Sequence, residues 1–201
     1  FLYASSDFAW GVQLVFDNKV ILGTRARKTR TKSFNAFSSI DYPETAVFRD
    51  MRLIPFLRRP DPMPPVQFYE QLDPAVFVLR LVPGMRADII PLLAPHYRAL
   101  VVESFGVGGL PGGEHGEMYA RLQDWCASGR LAVFTTQVPH EGCDLAVYEV
   151  GRSVKELPGV LEAKDMTPEA VAVKLMWALG QTTDRAEAMR LFTTPVEWDI
   201  V

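Results

Sequence analysis

The chain has 201 residues, 48% of them hydrophobic, with 21 basic and 24 acidic side chains and a formal net charge of −3. That length and apolar content support a buried core in one large or two small globular domains. The near-neutral charge excludes a global pull toward nucleic acid or an anionic membrane. Cys126 and Cys143 are the only cysteines, which excludes a disulfide framework, and no apolar run reaches the ~18 residues of a membrane span, so a protein of a reducing cytoplasm is expected.

The opening stretch FLYASSDFAW has no initiator methionine and reads as part of an amphipathic helix, so the 201 residues are expected to be the C-terminal portion of a longer protein. In VQLVFDNKVIL, residues 12–22, two β-rich runs flank Asp17 and Asn18, an Asx turn signal that predicts a β-hairpin. The chain continues through Arg25, Arg27, Lys28, Arg30 and Lys32, five positive charges in eight residues. This is a local nucleic-acid-like feature, but the acidic balance elsewhere favours a solvated edge or loop.

Five prolines between residues 55 and 65 forbid helix interior and strand centre and read as an extended linker. Beyond it the pattern becomes regular. AVFVLRLVPG (75–84), ALVVESFG (99–106) and LAVFTTQ (131–137) are short apolar strands of the kind a parallel sheet buries on both faces. Helices alternate with them: a short one over 85–97 interrupted by Pro91 and Pro95, and one over 114–130 with Met118, Leu122 and Trp125 on one face. Residues 167–180 show the clearest helix, with Thr167 as N-cap, Pro168 in its first turn, Val171, Leu175, Ala178 and Leu179 as the apolar face, and Gly180 as C-cap. A last helix is expected over about 184–192. The fold class expected is α/β: a three-layer parallel-sheet domain over 67–201, a linker over 55–66, and over 1–54 a β-hairpin remnant of an N-terminal α/β domain.

Six glycines fall within eleven residues in VVESFGVGGLPGGEHGEM, residues 101–118. A strand, a glycine-rich turn and a helix start form the usual cradle for an anion, and open α/β sheets bind ligands at the carboxyl ends of their strands. The turn lacks the Gly-Lys-Ser/Thr ending of a phosphate loop, and Gly106, Gly108 and Gly113 match a dinucleotide fingerprint only with irregular spacing. Loop residues 104–117 and 135–149 are placed to line one cleft. His115 and His140 each neighbour a carboxylate, yet His140 with Cys143 supplies at most two ligands where structural zinc takes four, so no metal site is expected. His96 reads as a cap or packing residue. Ser104 lacks a nucleophile elbow and a base, and Thr135 and Thr136 at a strand end read as structural.

The blocks GVQLVFDNKVILGTRARKTRTKSFNAFSSID, VVESFGVGGLP, LAVFTTQ and GVLEAKDMTPEAVAVKLMWALGQ resemble, in the same order and at similar spacing, those of the type I, cytoplasmic-type L-asparaginases. The most specific are Ser104-Phe105-Gly106-Val107-Gly108 and Asp165-Met166-Thr167-Pro168-Glu169-Ala170, with Lys174-Leu175 inside the helix that follows. The resemblance implies a two-domain α/β amidohydrolase, a homodimer or homotetramer, hydrolysing L-asparagine and potentially L-glutamine without metal or organic cofactor. From the charge balance and the lack of a long apolar run, no nucleic-acid or membrane partner is expected. The family's threonine nucleophile and its assisting threonine, aspartate and lysine belong to motifs that precede Phe1, so no catalytic residue is assigned. The glycine-rich turn is implied to approach the active site of a partner protomer through Gly108 and Gly109, where family members often carry asparagine in place of Gly109. Tyr148 or Glu149 falls where the family places a polar residue reaching into the neighbouring site.

Two other readings stay open: the asparaginase-like component of a tRNA-dependent amidotransferase, and a non-catalytic amino-acid-binding or assembly module. Some family members carry an allosteric asparagine site built on an arginine before the serine and a cysteine after the Thr-Gln pair; here those positions hold Glu103 and Val138. An acidic Glu103 repels an effector carboxylate. Asparagine saturation is therefore expected to be hyperbolic and to keep its shape in Glu103→Gln; sigmoidal kinetics lost on that substitution would overturn the reading.

Overall fold

In the computed structural model, which describes residues 1–58, 60–62, 65–113 and 116–201, Asp17 and Asn18 both take left-handed backbone with φ of 48° and 59°. That is the requirement of a type I′ turn, and it joins β1 (Gln13–Phe16) to β2 (Lys19–Leu22) as the two-residue hairpin the sequence predicts. A ribbon of β3 (Ala26–Lys28) and β4 (Phe37–Ser39) follows. Next comes a second hairpin, β5 (Ala46–Arg49) and β6 (Arg52–Pro55), turned on left-handed Asp50 and Met51. β2 and β5 pair antiparallel, giving a sheet in the order β1-β2-β5-β6. The sequence predicts only the first hairpin, because a methionine in left-handed backbone carries no turn signal. It also predicts helix at the start of the chain; residues 1–10 instead form turns closed by bonds such as Ser6 N to the Tyr3 carbonyl.

The apolar strands form a parallel sheet in the order β10-β9-β8-β7, made of β7 (Val76–Arg80), β8 (Ala99–Ser104), β9 (Leu131–Thr136) and β10 (Val160–Glu162). Every residue of β8 and β9 is buried, as their continuous apolar sequence requires. One face packs on α1 (Ile89–Leu93), α2 (Glu117–Ala127) and α3 (Glu149–Lys155) through Ile90, Leu93, Met118, Leu122, Trp125 and Val154. The other packs on α4 (Pro168–Gln181) and α5 (Arg185–Thr193) through Val171, Leu175, Ala178, Leu179 and Phe192. This is the three-layer α/β arrangement expected, with β10 and α3 added to the predicted elements. α1 is shorter than the expected 85–97; Pro91 fits in its first turn, where no backbone N–H is needed. Among the described residues no helix is long and apolar enough to cross a membrane.

The Thr167 hydroxyl caps α4 by accepting from Ala170 N at 3.2 Å. The helix runs past the expected Gly180 C-cap to Gln181. Gly180 is needed there for another reason: residues 69–73 lie against the helix, and a Cβ at Gly180 would sit 2.6 Å from the Gln71 carbonyl oxygen. Asp73 N donates to the Met176 carbonyl at 2.9 Å, Gln181 Nε2 donates to the Gln71 carbonyl at 2.8 Å, and Tyr69 meets Trp177 edge-on.

Arg25 departs most from the expected solvated basic stretch. Its side chain is wholly buried, with Nε donating to the Trp198 carbonyl at 2.6 Å, Nη1 to the Asp165 carbonyl at 2.8 Å, and Nη2 2.9 Å from Asp165 Oδ2. Tyr42 lies under the guanidinium. The segment that follows β2 is thereby held to the turn before α4 and to the C-terminal tail. Thr167 Oγ1 donates to the Thr24 carbonyl, Thr24 Oγ1 to the Glu197 carbonyl, and the Trp10 and Trp198 rings meet edge to face. A second buried pair, Lys174 Nζ to Asp199 Oδ2 at 2.7 Å, ties the tail to α4, and Lys174 also donates to the Thr194 carbonyl. Burial lowers the Lys174 pKa, against the opposing pull of Asp199.

Replacing Arg25 by Leu strands a carboxylate and two carbonyls, and is expected to cost about 3–5 kcal/mol in urea unfolding. A loss under about 1 kcal/mol would show the cluster to be incidental. Gly180→Ala is expected to cost about 1–3 kcal/mol by forcing residues 71–72 off α4, read as faster proteolysis of the 69–73 segment.

Candidate functional site

The glycine-rich turn closes on itself at the carboxyl end of β8. Phe105 and Gly109 form an isolated antiparallel bridge, with Gly109 N donating to the Phe105 carbonyl at 2.7 Å and Phe105 N to the Gly109 carbonyl at 3.1 Å. Gly106 is left-handed at φ 50° and leaves its outer face open, whereas Gly108 is buried and has no room for a side chain: a Cβ there would lie 2.6 Å from Leu145 Cδ2. The turn thus presents bare backbone outward and packs its inner glycine on the next loop.

That next loop follows β9, and the structure brings the two expected loop groups together. Asp144 N donates to the Val107 carbonyl at 3.1 Å, Cys143 Sγ to the same carbonyl at 3.3 Å, and Thr136 Oγ1 to the Gly106 carbonyl. Gln137 Nε2 donates to the Leu81 and Glu103 carbonyls at 2.6 and 2.9 Å, joining the ends of β7, β8 and β9. Leu145 N donates to Glu162 Oε1 at 2.8 Å, and Glu162 pairs with Lys155 at 2.7 Å. Sequence reasoning misses both Glu162 and Lys155; β10 is three residues long and gives no periodicity to read. Beside these loops, a cavity of about 330 Å³ is lined by Glu141, Cys143, Asp144, Lys155, Glu162, Lys164 and Asp165.

Tyr148 is the N-cap residue of α3 and Glu149 its first residue; both are exposed, Tyr148 by 60%. α3 is seated close over the β9 loop, since a Cβ at Gly151 would fall on the Leu145 carbonyl oxygen. Tyr148 and Glu149 therefore share the strand-end edge with Gly108 and Gly109 through Leu145, although no described hydrogen bond joins the two pairs directly. Glu103 is buried, its carboxylate 3.4 Å from Arg80 Nη1 on the neighbouring strand, while Val138 is exposed. The cross-strand neighbour of Glu103, Thr135, holds a buried hydroxyl that has no hydrogen-bond partner among the described residues.

Ser104 and the two cysteines supply no free nucleophile. Ser104 Oγ donates to the Thr135 carbonyl at 2.8 Å. Burial, reinforced by Glu162, pushes the Cys143 thiol up to about 12, and burial pushes Cys126 to about 11; both are free neutral thiols. His140 Nδ1 lies 3.2 Å from Asp41 Oδ1, joining this loop to the N-terminal segment, and His96 is exposed after α1 with its N–H on the Leu93 carbonyl. His115, and with it the start of the helix expected over 114–130, lies outside the described residues, as do parts of the expected linker. Among the described residues no group of three or more His, Cys, Asp or Glu could hold a metal ion. What the edge offers is backbone, a tyrosine hydroxyl and paired charges, an arrangement suited to holding a small polar molecule.

Residues 75–192 match the glutaminase/asparaginase C-terminal domain, and residues 1–59 match the asparaginase N-terminal domain. An L-asparaginase of Thermococcus kodakarensis is 35% identical over 194 residues, covering 94% of this chain and 57% of that one. A glutamyl-tRNA(Gln) amidotransferase polypeptide of Metallosphaera sedula is 35% identical over 179 residues, covering 86% of this chain and 39% of that protein. The solved thermostable L-asparaginase of Thermococcus kodakarensis superposes with a TM-score of 0.88 at 34% identity, over 95% of this chain and 57% of that one. The chain thus spans little more than half of that asparaginase and less than half of the amidotransferase polypeptide. With its parallel-sheet unit matched nearly end to end, the chain belongs to the glutaminase/asparaginase family.

Proposed function

We propose that the chain is part of an amidohydrolase that converts L-asparagine and water to aspartate and ammonia. The observation that supports this reading is the closed Phe105–Gly109 turn, which leaves open backbone at the carboxyl edge of the parallel sheet, with the exposed Tyr148 at the end of the loop that packs against it. Open α/β sheets bind their ligands at that edge, and an amino acid is of the size and polarity such an edge accommodates. Residues 1–54 and 67–201 act as two domains joined by 55–66 in this reading.

Gly108 and Gly109 shape the turn, and Tyr148 and Glu149 supply polar contacts to substrate, within one protomer or across a homodimer or homotetramer contact in the cytoplasm. The nucleophile is a threonine outside these 201 residues. Its hydroxyl adds to the side-chain amide carbon, the C–N bond breaks with ammonia leaving, and water then cleaves the acyl ester to aspartate. The step needs no metal or organic cofactor. The amidotransferase match favours a second reading, in which the same chemistry releases ammonia from glutamine for transfer to an aminoacyl-tRNA.

The test is ammonia release by the whole protein from asparagine and from glutamine. Asparagine as the better substrate by kcat/KM supports the first reading, glutamine the second, and release from neither removes both. Tyr148→Phe is expected to raise the KM for asparagine about tenfold, the worth of one hydrogen bond of about 1.4 kcal/mol. An unchanged KM and kcat would take Tyr148 out of the site.

A further inference from the structure

At the other end of the parallel sheet from the glycine-rich turn, where β8 and β9 begin, lies a cavity of about 330 Å³ bounded by residues 94–98, 128–131, Leu179 and 183–185. Three arginines line it: Arg98, Arg130 and Arg185. Arg98 is balanced, its Nη1 2.6 Å from Asp73 Oδ2. Arg130 is not: its three bonds go to the Tyr97 and Ala94 carbonyls and the Ser128 hydroxyl, and its plane covers Trp125.

Arg185 has less still. Among the described residues its buried Nη2 has no hydrogen-bond partner, and the guanidinium lies so close over left-handed Gly159 that a Cβ there would overlap Nη2. Among the described residues no carboxylate comes within ion-pair distance of Arg130 or Arg185. The Arg185 charge also acts on the Cys126 thiol, which burial keeps neutral.

Arg185 and Arg130 are partly buried, a guanidinium withdrawn from water without a counter-charge is costly, and an anion bound beside it offsets that cost. The surroundings favour one. Arg130 and Arg98 each retain guanidinium donors that no described bond uses, and planar guanidinium forks match phosphate and carboxylate oxygens in pairs. Asp184, whose Oδ1 caps the first turn of α5 through Glu187 N at 2.7 Å, is the opposing charge on the cavity wall. Two uncompensated guanidinium groups outweigh one carboxylate, so the cavity keeps a net positive character. Its volume exceeds what a monatomic ion fills.

We infer that this arginine-lined cavity binds a small phosphate-bearing anion, with Arg185 and Arg130 as its principal partners. The inference does not depend on the amidohydrolase reading. The experiment is calorimetric titration of the whole protein with pyrophosphate at low ionic strength. One equivalent is expected to bind. Arg185→Gln should weaken it at least tenfold while the far-UV spectrum stays unchanged. Asp184→Asn keeps an equivalent helix cap and should tighten binding several-fold, a gain that a merely damaged fold would not produce. Absence of binding overturns the inference. So does binding that survives Arg185→Gln but is lost in Arg27→Gln/Lys28→Gln, which would place the anion on the surface basic stretch. Citrate binding as tightly as pyrophosphate would overturn the phosphate assignment in favour of a carboxylate ligand.

Discussion

The buried Arg25 guanidinium joins three pieces of chain that are far apart in sequence. It belongs to the segment that leaves the antiparallel sheet, yet its donors end on Asp165 and Trp198, 140 and 173 residues further along the chain. A buried arginine is tolerable only where carbonyls and a carboxylate satisfy it, and this one can be satisfied only if three distant pieces of chain meet. Asp165 also accepts from Val201 N, and the next turn begins α4 with the capping Thr167. One residue thus sets where α4 starts, where the tail returns, and how the antiparallel sheet stands against the parallel one.

From that junction the strand-end edge follows. Ala163 and Lys164 lie between β10 and Asp165; the Lys164 carbonyl accepts from Cys143 N, and Cys143 in turn reaches the Val107 carbonyl in the glycine-rich turn. Close backbone approach is possible because Gly142 carries no side chain: a Cβ there would fall 2.6 Å from the Lys164 carbonyl oxygen. Gly108 performs the same service against Leu145. Gly108 and Gly142 therefore let loops interlock, and part of the glycine content of the turn has a packing cause. What remains outward is backbone and the exposed Tyr148.

The two ends of the parallel sheet carry different electrostatics. The carboxyl end holds two ion pairs, Lys155 with Glu162 and Arg80 with Glu103. The amino end collects three arginines where helices and strands turn, and only one of them meets a carboxylate among the described residues. Net charge, close to zero over the whole chain, hides this separation, because it sums over a surface while binding responds to local fields.

Local sequence determined what local forces decide. Asp17-Asn18 specifies a type I′ turn, continuous apolar runs specify strands buried on both faces, and Thr167-Pro168 specifies a helix start, so hairpin, parallel sheet and α4 were all legible. The family could be read too, since its motifs keep their order along the chain. Tertiary structure alone decided the fate of Arg25, which the charge run 25–32 disguises as a surface residue, and the reason for Gly180, which answers to Gln71 more than 100 residues away. It also decided which loops meet at the strand ends and that Arg98, Arg130 and Arg185 converge. The physical reason is the same in each case: burial and charge compensation are set by contacts distant along the chain, and no local pattern of residues encodes the partner.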